Sequence, residues 1–135
     1  MTHVIVDGAN VVGSRPDGWW RDRPGAAERL AARLVAALTD GRLVAAFGPE
    51  PRLHLVLEGA ATAADLPTHP SLAAVLAPAD GDATIVALAT SLAGRDVVVV
   101  TADRGLRERV RAAGARTAGP SVLLDALPGG LGPLG

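Results

Sequence analysis

Four consecutive valines, Val97 to Val100, are the feature that most constrains how this chain can fold. An unbroken β-branched run is typical of a strand that is buried on both faces, as in a parallel sheet. Asp96 and Thr101 bound the run on either side. Because parallel strands need long crossover connections, which are usually helices, the run predicts an α/β fold.

The rest of the chain alternates between strand and helix patterns. We predict strands at residues 3–6, 53–57, 71–77, 96–100 and 116–118, and helices at 24–39, 82–93, 103–113 and 122–127. Residues 8–24 are predicted to form a loop because they are polar and contain several Gly and Pro. Residues 41–51 form a connection whose structure the sequence does not indicate. The alternation predicts a parallel sheet covered on both faces by helices.

Length and composition narrow the class of protein. A chain of 135 residues fits one domain, which we place at 1–127, followed by a flexible Gly- and Pro-rich tail at 128–135. The chain contains no Cys, which excludes a disulfide, a thiolate nucleophile and a Cys-ligated metal. All thirteen basic residues are Arg, so a phosphate-binding P-loop lysine and a Schiff-base lysine are also excluded.

Charge and hydropathy bear on the cellular compartment of the protein and on how it could contact nucleic acid. The net charge of −1 provides no overall basic field, so any contact with nucleic acid must come from a local patch. No apolar run approaches the 18 residues or so of a membrane span, and a strand begins within the first seven residues. We therefore expect a cytoplasmic protein with no membrane contact and no signal peptide.

Acidic residues follow the ends of four predicted strands. Asp7 follows the first strand, Glu58 the second, Asp80 and Asp82 the third, and Asp103 the valine strand. Ligands of parallel sheets bind beyond these ends, and clustered carboxylates are unfavourable unless a cation neutralises them. Carboxylate ligands without Cys or clustered His favour Mg²⁺ or Mn²⁺. Asp82 and Asp103 also suit helix N-caps, and that alternative stays open.

The turn Asp7-Gly8-Ala9-Asn10 is a stronger signal than any single acid. Gly8 would allow the backbone to approach a ligand closely. Asn10 is the only Asn in the chain, and its amide could hold Asp7, a metal-bound water or a phosphate. The alternative is that its side chain only caps the loop.

The predicted loop 8–24 carries candidate RNA-binding side chains. Arg15, Arg21 and Arg23 flank the pair Trp19-Trp20. Arg contacts phosphate and Trp stacks on bases, so this grouping is typical of a single-strand RNA contact. It is equally consistent with one Trp that fills the core and arginines that solubilise the loop.

A second basic group lies beyond Asp103. Arg104, Arg107 and Arg111 recur at helical spacing, which could equally be a solvated helix face. Arg104 is closest to the acids and is a candidate substrate contact. The three histidines do not cluster in the sequence, and we assign them no chemistry.

Three segments together are similar to a known family. Residues 4–10 (Val-Ile-Val-Asp-Gly-Ala-Asn), 81–85 (Gly-Asp-Ala-Thr-Ile) and 99–104 (Val-Val-Thr-Ala-Asp-Arg) resemble motifs of NYN domains, the YacP-type branch of the PIN-like nuclease superfamily. Gly114, a short strand and Ser121 fit the end of such a domain. The resemblance covers nearly the whole chain in the right order.

This resemblance implies a PIN-like three-layer α/β/α fold with a mainly parallel central sheet of about five strands. It also implies an endoribonuclease that hydrolyses RNA phosphodiester bonds with Mg²⁺ or Mn²⁺. By the resemblance, Asp7, Asp82 and Asp103 would bind metal with support from Asn10. Asp80 and Glu58 are further candidate ligands. The RNA could be single-stranded or structured, and a homodimer or a protein partner stays open.

Two positions depart from the family pattern. Ala102 stands where the family has a hydroxyl residue, and Ala83 follows Asp82 where a second Asp is common. These departures keep open a catalytically weak or inactive module of the same fold that binds RNA or protein. A nucleotide phosphatase fits less well, because such enzymes use an Asp-x-Asp pattern after the first strand, and Ala9 stands where its second Asp would be.

Overall fold

The computed structural model describes residues 1–128, which contain one five-stranded parallel sheet. The strand order is β3-β2-β1-β4-β5, and every pairing is parallel. This confirms the predicted α/β class. The strands are β1 Thr2–Asp7, β2 Pro51–Leu57, β3 Leu72–Leu76, β4 Asp96–Val100 and β5 Arg116–Ala118.

Six α-helices within residues 1–128 connect and cover these strands. Their bounds are α1 Gly8–Gly13, α2 Arg23–Asp40, α3 Arg42–Phe47, α4 Gly81–Ser91, α5 Arg104–Ala112 and α6 Pro120–Asp125. Two 3₁₀ turns, Trp19–Arg21 and Gly59–Ala63, lie in the connections. No helix in this part of the chain is both long and apolar enough to cross a bilayer.

The helices form two layers because successive strand residues point to opposite faces of the sheet. Val4 and Val6 of β1 pack with Leu34 of α2 in one core cluster. Ile5, between them in sequence, packs with Ile85 of α4 in a second cluster on the other face. All five side chains are fully buried. The described residues therefore form the three-layer α/β/α arrangement that was predicted.

The strand order reverses between β1 and β4. From β1 the chain crosses to β2 and β3 on one side, and through α4 it then returns to β4 on the other side of β1. In open parallel sheets, ligands bind at the carboxyl ends of the strands where the order reverses. The acids that follow β1 and β4 thus lie at the position that this topology favours for a ligand.

Helix α1 corrects the prediction of a loop over 8–24. Asp7 is its N-cap, and the Asp7 side chain accepts a hydrogen bond from the Asn10 backbone N–H. Gly8 allows α1 to pack closely on β2, since a Cβ there would lie 2.5 Å from the Val56 carbonyl oxygen. Gly8 is thus required by packing within the protein, which differs from the predicted reason of close approach to a ligand.

The N-caps of two later helices show which of the predicted acids cap a helix. Asp80 caps α4 and Asp103 caps α5. The prediction that α4 begins at Asp82 was wrong by one residue, and Asp82 lies in its first turn without capping it. Most of the predicted tail, residues 129–135, lies outside the described residues.

Candidate active site at the carboxyl edge of the sheet

Asp7 lies at the centre of the carboxyl edge of the sheet and is only 6% exposed. One carboxylate oxygen, Oδ2, accepts a hydrogen bond of 2.9 Å from the Thr101 hydroxyl. The other, Oδ1, accepts a longer bond of 3.4 Å from the Asn10 backbone N–H. These contacts hold the carboxylate at the junction of β1, α1 and the segment after β4.

Thr101 is a site residue that the sequence analysis missed. It directly follows β4 and is fully buried. Besides donating to Asp7, its Oγ1 accepts a hydrogen bond of 3.2 Å from the Asp103 backbone N–H. Its carbonyl accepts a bond of 2.8 Å from Arg107 Nε. The one available signal was a polar residue at the end of the valine run, where a carboxyl edge was expected.

Asn10 connects the two halves of the site. Its Oδ1 accepts a hydrogen bond of 2.8 Å from the Ala102 backbone N–H, which ties α1 to the segment between β4 and α5. The Asn10 amide therefore contacts the backbone of the opposite loop, while its own N–H contacts Asp7. This arrangement differs from a side chain that only caps its own turn.

Backbone amides orient three further carboxylates along this edge. Glu58 follows β2 and accepts a hydrogen bond of 3.0 Å from the Gly81 N–H. Asp80 and Asp103 accept bonds of 3.0 and 2.9 Å from amides in the first turns of α4 and α5. Each of these bonds engages one oxygen of the carboxylate, so the second oxygen of each group has no hydrogen bond from within residues 1–128.

The surroundings of Asp7 disfavour its negative charge. Burial raises the pKa of Asp7 above its ordinary value, and the negative charges of Asp82 and Glu58 raise it further. Hydrogen bonds from Thr101 and Asn10 act in the opposite direction. A buried carboxylate with acidic neighbours is costly to ionise and is a common mark of a functional site.

Asp82 experiences the same repulsion from its own neighbours. Burial raises the pKa of this half-buried side chain, and the charges of Asp103, Asp80 and Glu58 add to the effect, while Arg109 opposes it. Asp82 therefore lies within electrostatic range of each of the four other predicted acids along this edge.

No arginine neutralises these acids by direct contact within residues 1–128. The ion pairs in this part of the chain join Arg42 to Asp40 and Arg116 to Asp96, and both pairs lie away from the carboxyl edge. The negative charges of the acidic edge are therefore not balanced by an ion pair within residues 1–128. Unbalanced carboxylates of this kind are usual at a site that binds a cation.

The donor set fits a hard divalent cation in its chemistry. Carboxylate oxygens are the ligands that Mg²⁺ and Mn²⁺ prefer. Across residues 1–128, however, no three acidic or histidine side chains are positioned to hold one metal ion together. A cation held by three of these carboxylates at once would need them to move toward it, whereas Mg²⁺ is commonly held by one or two carboxylates with waters.

A cavity of about 490 Å³ opens beside the acids. Glu58 and Asp80 are among its lining residues, and so are Trp19 and Arg23. The predicted RNA-binding group is therefore divided. Trp19 and Arg23 line the same cavity as the two acids, whereas Trp20 is not among the cavity's lining residues and is 51% exposed.

Arg15, Arg21 and Arg104 are not among the residues that line this cavity. Arg21 lies over the ring of Trp20, at 5.9 Å from the ring centroid. Burial lowers the pKa of the Arg33 guanidinium, and the nearby charge of Arg15 lowers it further. Arg104 is exposed and is the first residue of α5, directly after Asp103.

Comparison with known proteins shows a likeness in structure. No family model matches the chain, and no curated protein matches it in sequence. Two solved structures of Rae1 (YacP) from Bacillus subtilis, one of them a mutant, are 19% identical to it. One aligns with a TM-score of 0.67 over 92% of this chain and 72% of Rae1. The mutant aligns with 0.64 over 93% and 75%. The fold is therefore similar to that of Rae1 (YacP), which confirms the predicted likeness to YacP-type proteins at the level of the fold.

Proposed function

We propose that this chain is a metal-dependent endoribonuclease that hydrolyses RNA phosphodiester bonds with Mg²⁺ or Mn²⁺. The observation that carries the proposal is the acidic edge. A buried Asp7 lies where the strand order reverses, next to further carboxylates that no arginine of residues 1–128 neutralises. The fold shared with Rae1 (YacP) is the NYN or PIN-like nuclease fold, which supports the same class.

Five carboxylates are available to hold the cation. Asp7, Asp82 and Asp103 would be the main ligands, and Asp80 and Glu58 would complete or support the site. A bound divalent cation supplies an activated water and stabilises negative charge on the phosphate.

Neutral and basic residues would position the reacting groups. Thr101 fixes one oxygen of Asp7 through its hydroxyl, and Asn10 holds the loop that carries Asp103. Arg104 and Arg107 lie at the start of α5, beside this loop, where their guanidinium groups could contact the phosphates of the strand. Arg107 is the better ordered of the two, because it already donates to the Thr101 carbonyl.

RNA cleavage with matched variants tests the proposal. A labelled RNA is incubated with the wild type, Asp7→Asn, Asp82→Asn and Asp96→Asn, in Mg²⁺, in Mn²⁺ and in EDTA. We expect cleavage only with metal and a loss of at least about 100-fold in the first two variants, since even outer-shell changes cost 10–100-fold. Asp96 lies at the opposite end of the sheet, so Asp96→Asn should retain activity. Equal background cleavage in all four proteins would refute the proposal.

A second candidate is a module of the same fold that binds RNA without cutting it. It is favoured by the spacing of the acids, since no three of the acidic or histidine groups in residues 1–128 are placed to hold one metal. Ala83 and Ala102 also remove groups that the family pattern contains. RNA binding that is independent of metal, together with no cleavage, would support this candidate.

A further inference from the structure

The cavity beside the acidic edge has the size and lining of a small-ligand site. Its volume of about 490 Å³ falls within the usual range of about 300–1,000 Å³ for such sites. Most of its lining is apolar, and its charged members are Arg23, Glu58 and Asp80. The apolar part of the lining consists of Ala9, Val12, Ala27, Leu57, Ala61 and Ala79.

Trp19 and Arg23 lie next to each other in the cavity lining and form a stacking platform. The guanidinium carbon of Arg23 lies 5.3 Å from the centroid of the Trp19 ring, in a cation–π contact. No carboxylate in residues 1–128 forms an ion pair with Arg23. Trp19 is half-buried, and its ring lies beside Gly13 at the end of α1. Aromatic rings and guanidinium planes are the two surfaces on which proteins stack nucleobases.

The cavity lining also includes part of the acidic edge. Glu58 and Asp80 contribute to it, and so does Gly8, which directly follows Asp7. These carboxylates would repel a phosphate inside the cavity. The apolar floor and the stacking platform instead favour a flat, uncharged ring, and the carboxylates can accept hydrogen bonds from its N–H groups.

We propose that this cavity binds one unpaired nucleobase of an RNA strand, stacked against Trp19 and Arg23, and thereby places the adjoining phosphate at the acidic edge. The proposal rests on the proposed function, which it deepens by naming the substrate as RNA with an accessible base. A base inside a duplex is stacked on both faces and cannot enter. Single strands and loops therefore bind, whereas a continuous duplex does not.

Adjacent residues in the chain provide matched controls. Trp20 and Arg21 form a cation–π contact, and they are not part of the cavity lining. Because the Trp20 ring meets the Trp19 ring edge to face at 5.9 Å, the control at this position is Trp20→Phe, which keeps an aromatic ring there. Binding of a fluorescent seven-nucleotide single-stranded RNA is measured in EDTA for Trp19→Ala, Trp20→Phe, Arg23→Gln and Arg21→Gln. Trp19→Phe and a thermal unfolding curve for each variant separate loss of stacking from loss of folding.

We expect Trp19→Ala to weaken binding by about 5- to 140-fold, the range for removal of one stacked base. Arg23→Gln should weaken binding to a smaller degree, and Trp19→Phe should retain most of it. Trp20→Phe and Arg21→Gln should change binding less than about twofold. Equal losses in Trp19→Ala and Trp20→Phe, no loss in Trp19→Ala, or no binding by the folded wild type would each overturn the proposal.

An abasic scan tests whether a base occupies the cavity. Removing the base at one position of the RNA should weaken binding to the wild type, but it should add no further loss in Trp19→Ala. Losses that add in full would refute a shared contact. Because EDTA removes any metal, this assay can succeed where the cleavage assay fails, which would leave an RNA-binding module. Cleavage with an unaffected Trp19→Ala would instead reject the base site alone.

Discussion

The two ends of the sheet differ in how their charged and polar side chains are paired. At the amino end, Asp96 accepts hydrogen bonds from Arg116, and Thr2 donates to the Pro49 carbonyl at 2.9 Å. His3 and His54 lie nearby, with ring nitrogens 3.1 Å apart, so the prediction that the histidines do not cluster was wrong for this pair. At the carboxyl edge, five acids follow the strand ends, and no arginine in residues 1–128 forms an ion pair with them.

This difference indicates which end is organised for folding and which for binding. Paired groups such as Asp96 and Arg116 satisfy each other and need no ligand. Buried like charges lower stability unless a cation or a proton compensates them. Proteins tolerate such a cost at functional sites, so the contrast itself supports the location of the site at Asp7.

Thr101→Val is expected to lower both activity and stability, because it removes the hydroxyl that holds Asp7 with little change in shape. The Asp103 N–H would also lose its acceptor. We expect RNA cleavage to fall by about 10–100-fold, as for other supports of a metal ligand. The free energy of unfolding should fall by about 1–3 kcal/mol, because a buried polar group is left unpaired. Thr101→Ser retains the hydroxyl and should preserve most of the activity. Equal activity in both variants would contradict this role.

Asp7→Asn is expected to abolish RNA cleavage without lowering the stability of the folded protein. The pKa of Asp7 is raised above its ordinary value of 3.8, mainly by burial. The folded protein therefore binds this proton more tightly than the unfolded chain, and stability falls as the pH rises from about 4 through the folded-state pKa. Removal of the charge should leave the variant at least as stable as the wild type at pH 7, although cleavage is lost. Urea unfolding at pH 4 and pH 7 measures this, and a clear loss of stability at pH 7 would contradict it.

The two histidines at the amino end should make stability depend on pH in the opposite direction. Burial lowers the pKa of both His3 and His54 below the ordinary value of 6.5. The unfolded chain then binds more protons than the folded protein, so stability is lost as the pH falls below about 6.5. The slope can reach about 1.4 kcal/mol per pH unit for each group. His54→Gln should flatten the slope between pH 5 and 7, and an unchanged slope would refute the assignment to this pair.

The smallest effect is expected for the ion pair of Asp96 and Arg116. Both side chains are about half exposed, at 48% and 54%. Exposed pairs contribute about 0–1 kcal/mol, so Asp96→Asn should change the free energy of unfolding by less than about 1 kcal/mol. RNA cleavage should not change. A large loss of activity in this variant would remove the distinction between the two ends.

The sequence was most informative where one local signal dominated. The valine run predicted β4 at its observed bounds, because four β-branched residues favour a buried strand. Helix α1 was missed because Gly8 and Gly13 at its two ends have low helix propensity. It forms because Asp7 caps it and because Gly8 packs against Val56, and the second of these contacts is set by the tertiary structure.

The candidate site was likewise predictable only where local sequence signals and sheet topology determine it. The placement of acids at strand ends followed from parallel topology, and it held for all five residues. Two features could not be predicted, because they depend on contacts between distant parts of the chain. The Thr101 hydroxyl reaches Asp7 across 94 positions, and the position of Trp19 in the same cavity as Glu58 depends on the path of the connection between α1 and α2.

Direct binding of Mn²⁺ tests the central claim, that the unpaired acids at the carboxyl edge form a cation site. Isothermal titration calorimetry of the wild type, Asp7→Asn, Asp82→Asn and Asp96→Asn compares the two ends in one experiment. The account predicts binding by the wild type and Asp96→Asn, and loss of binding in Asp7→Asn and Asp82→Asn. No binding by the wild type, or equal binding by all four proteins, would contradict it.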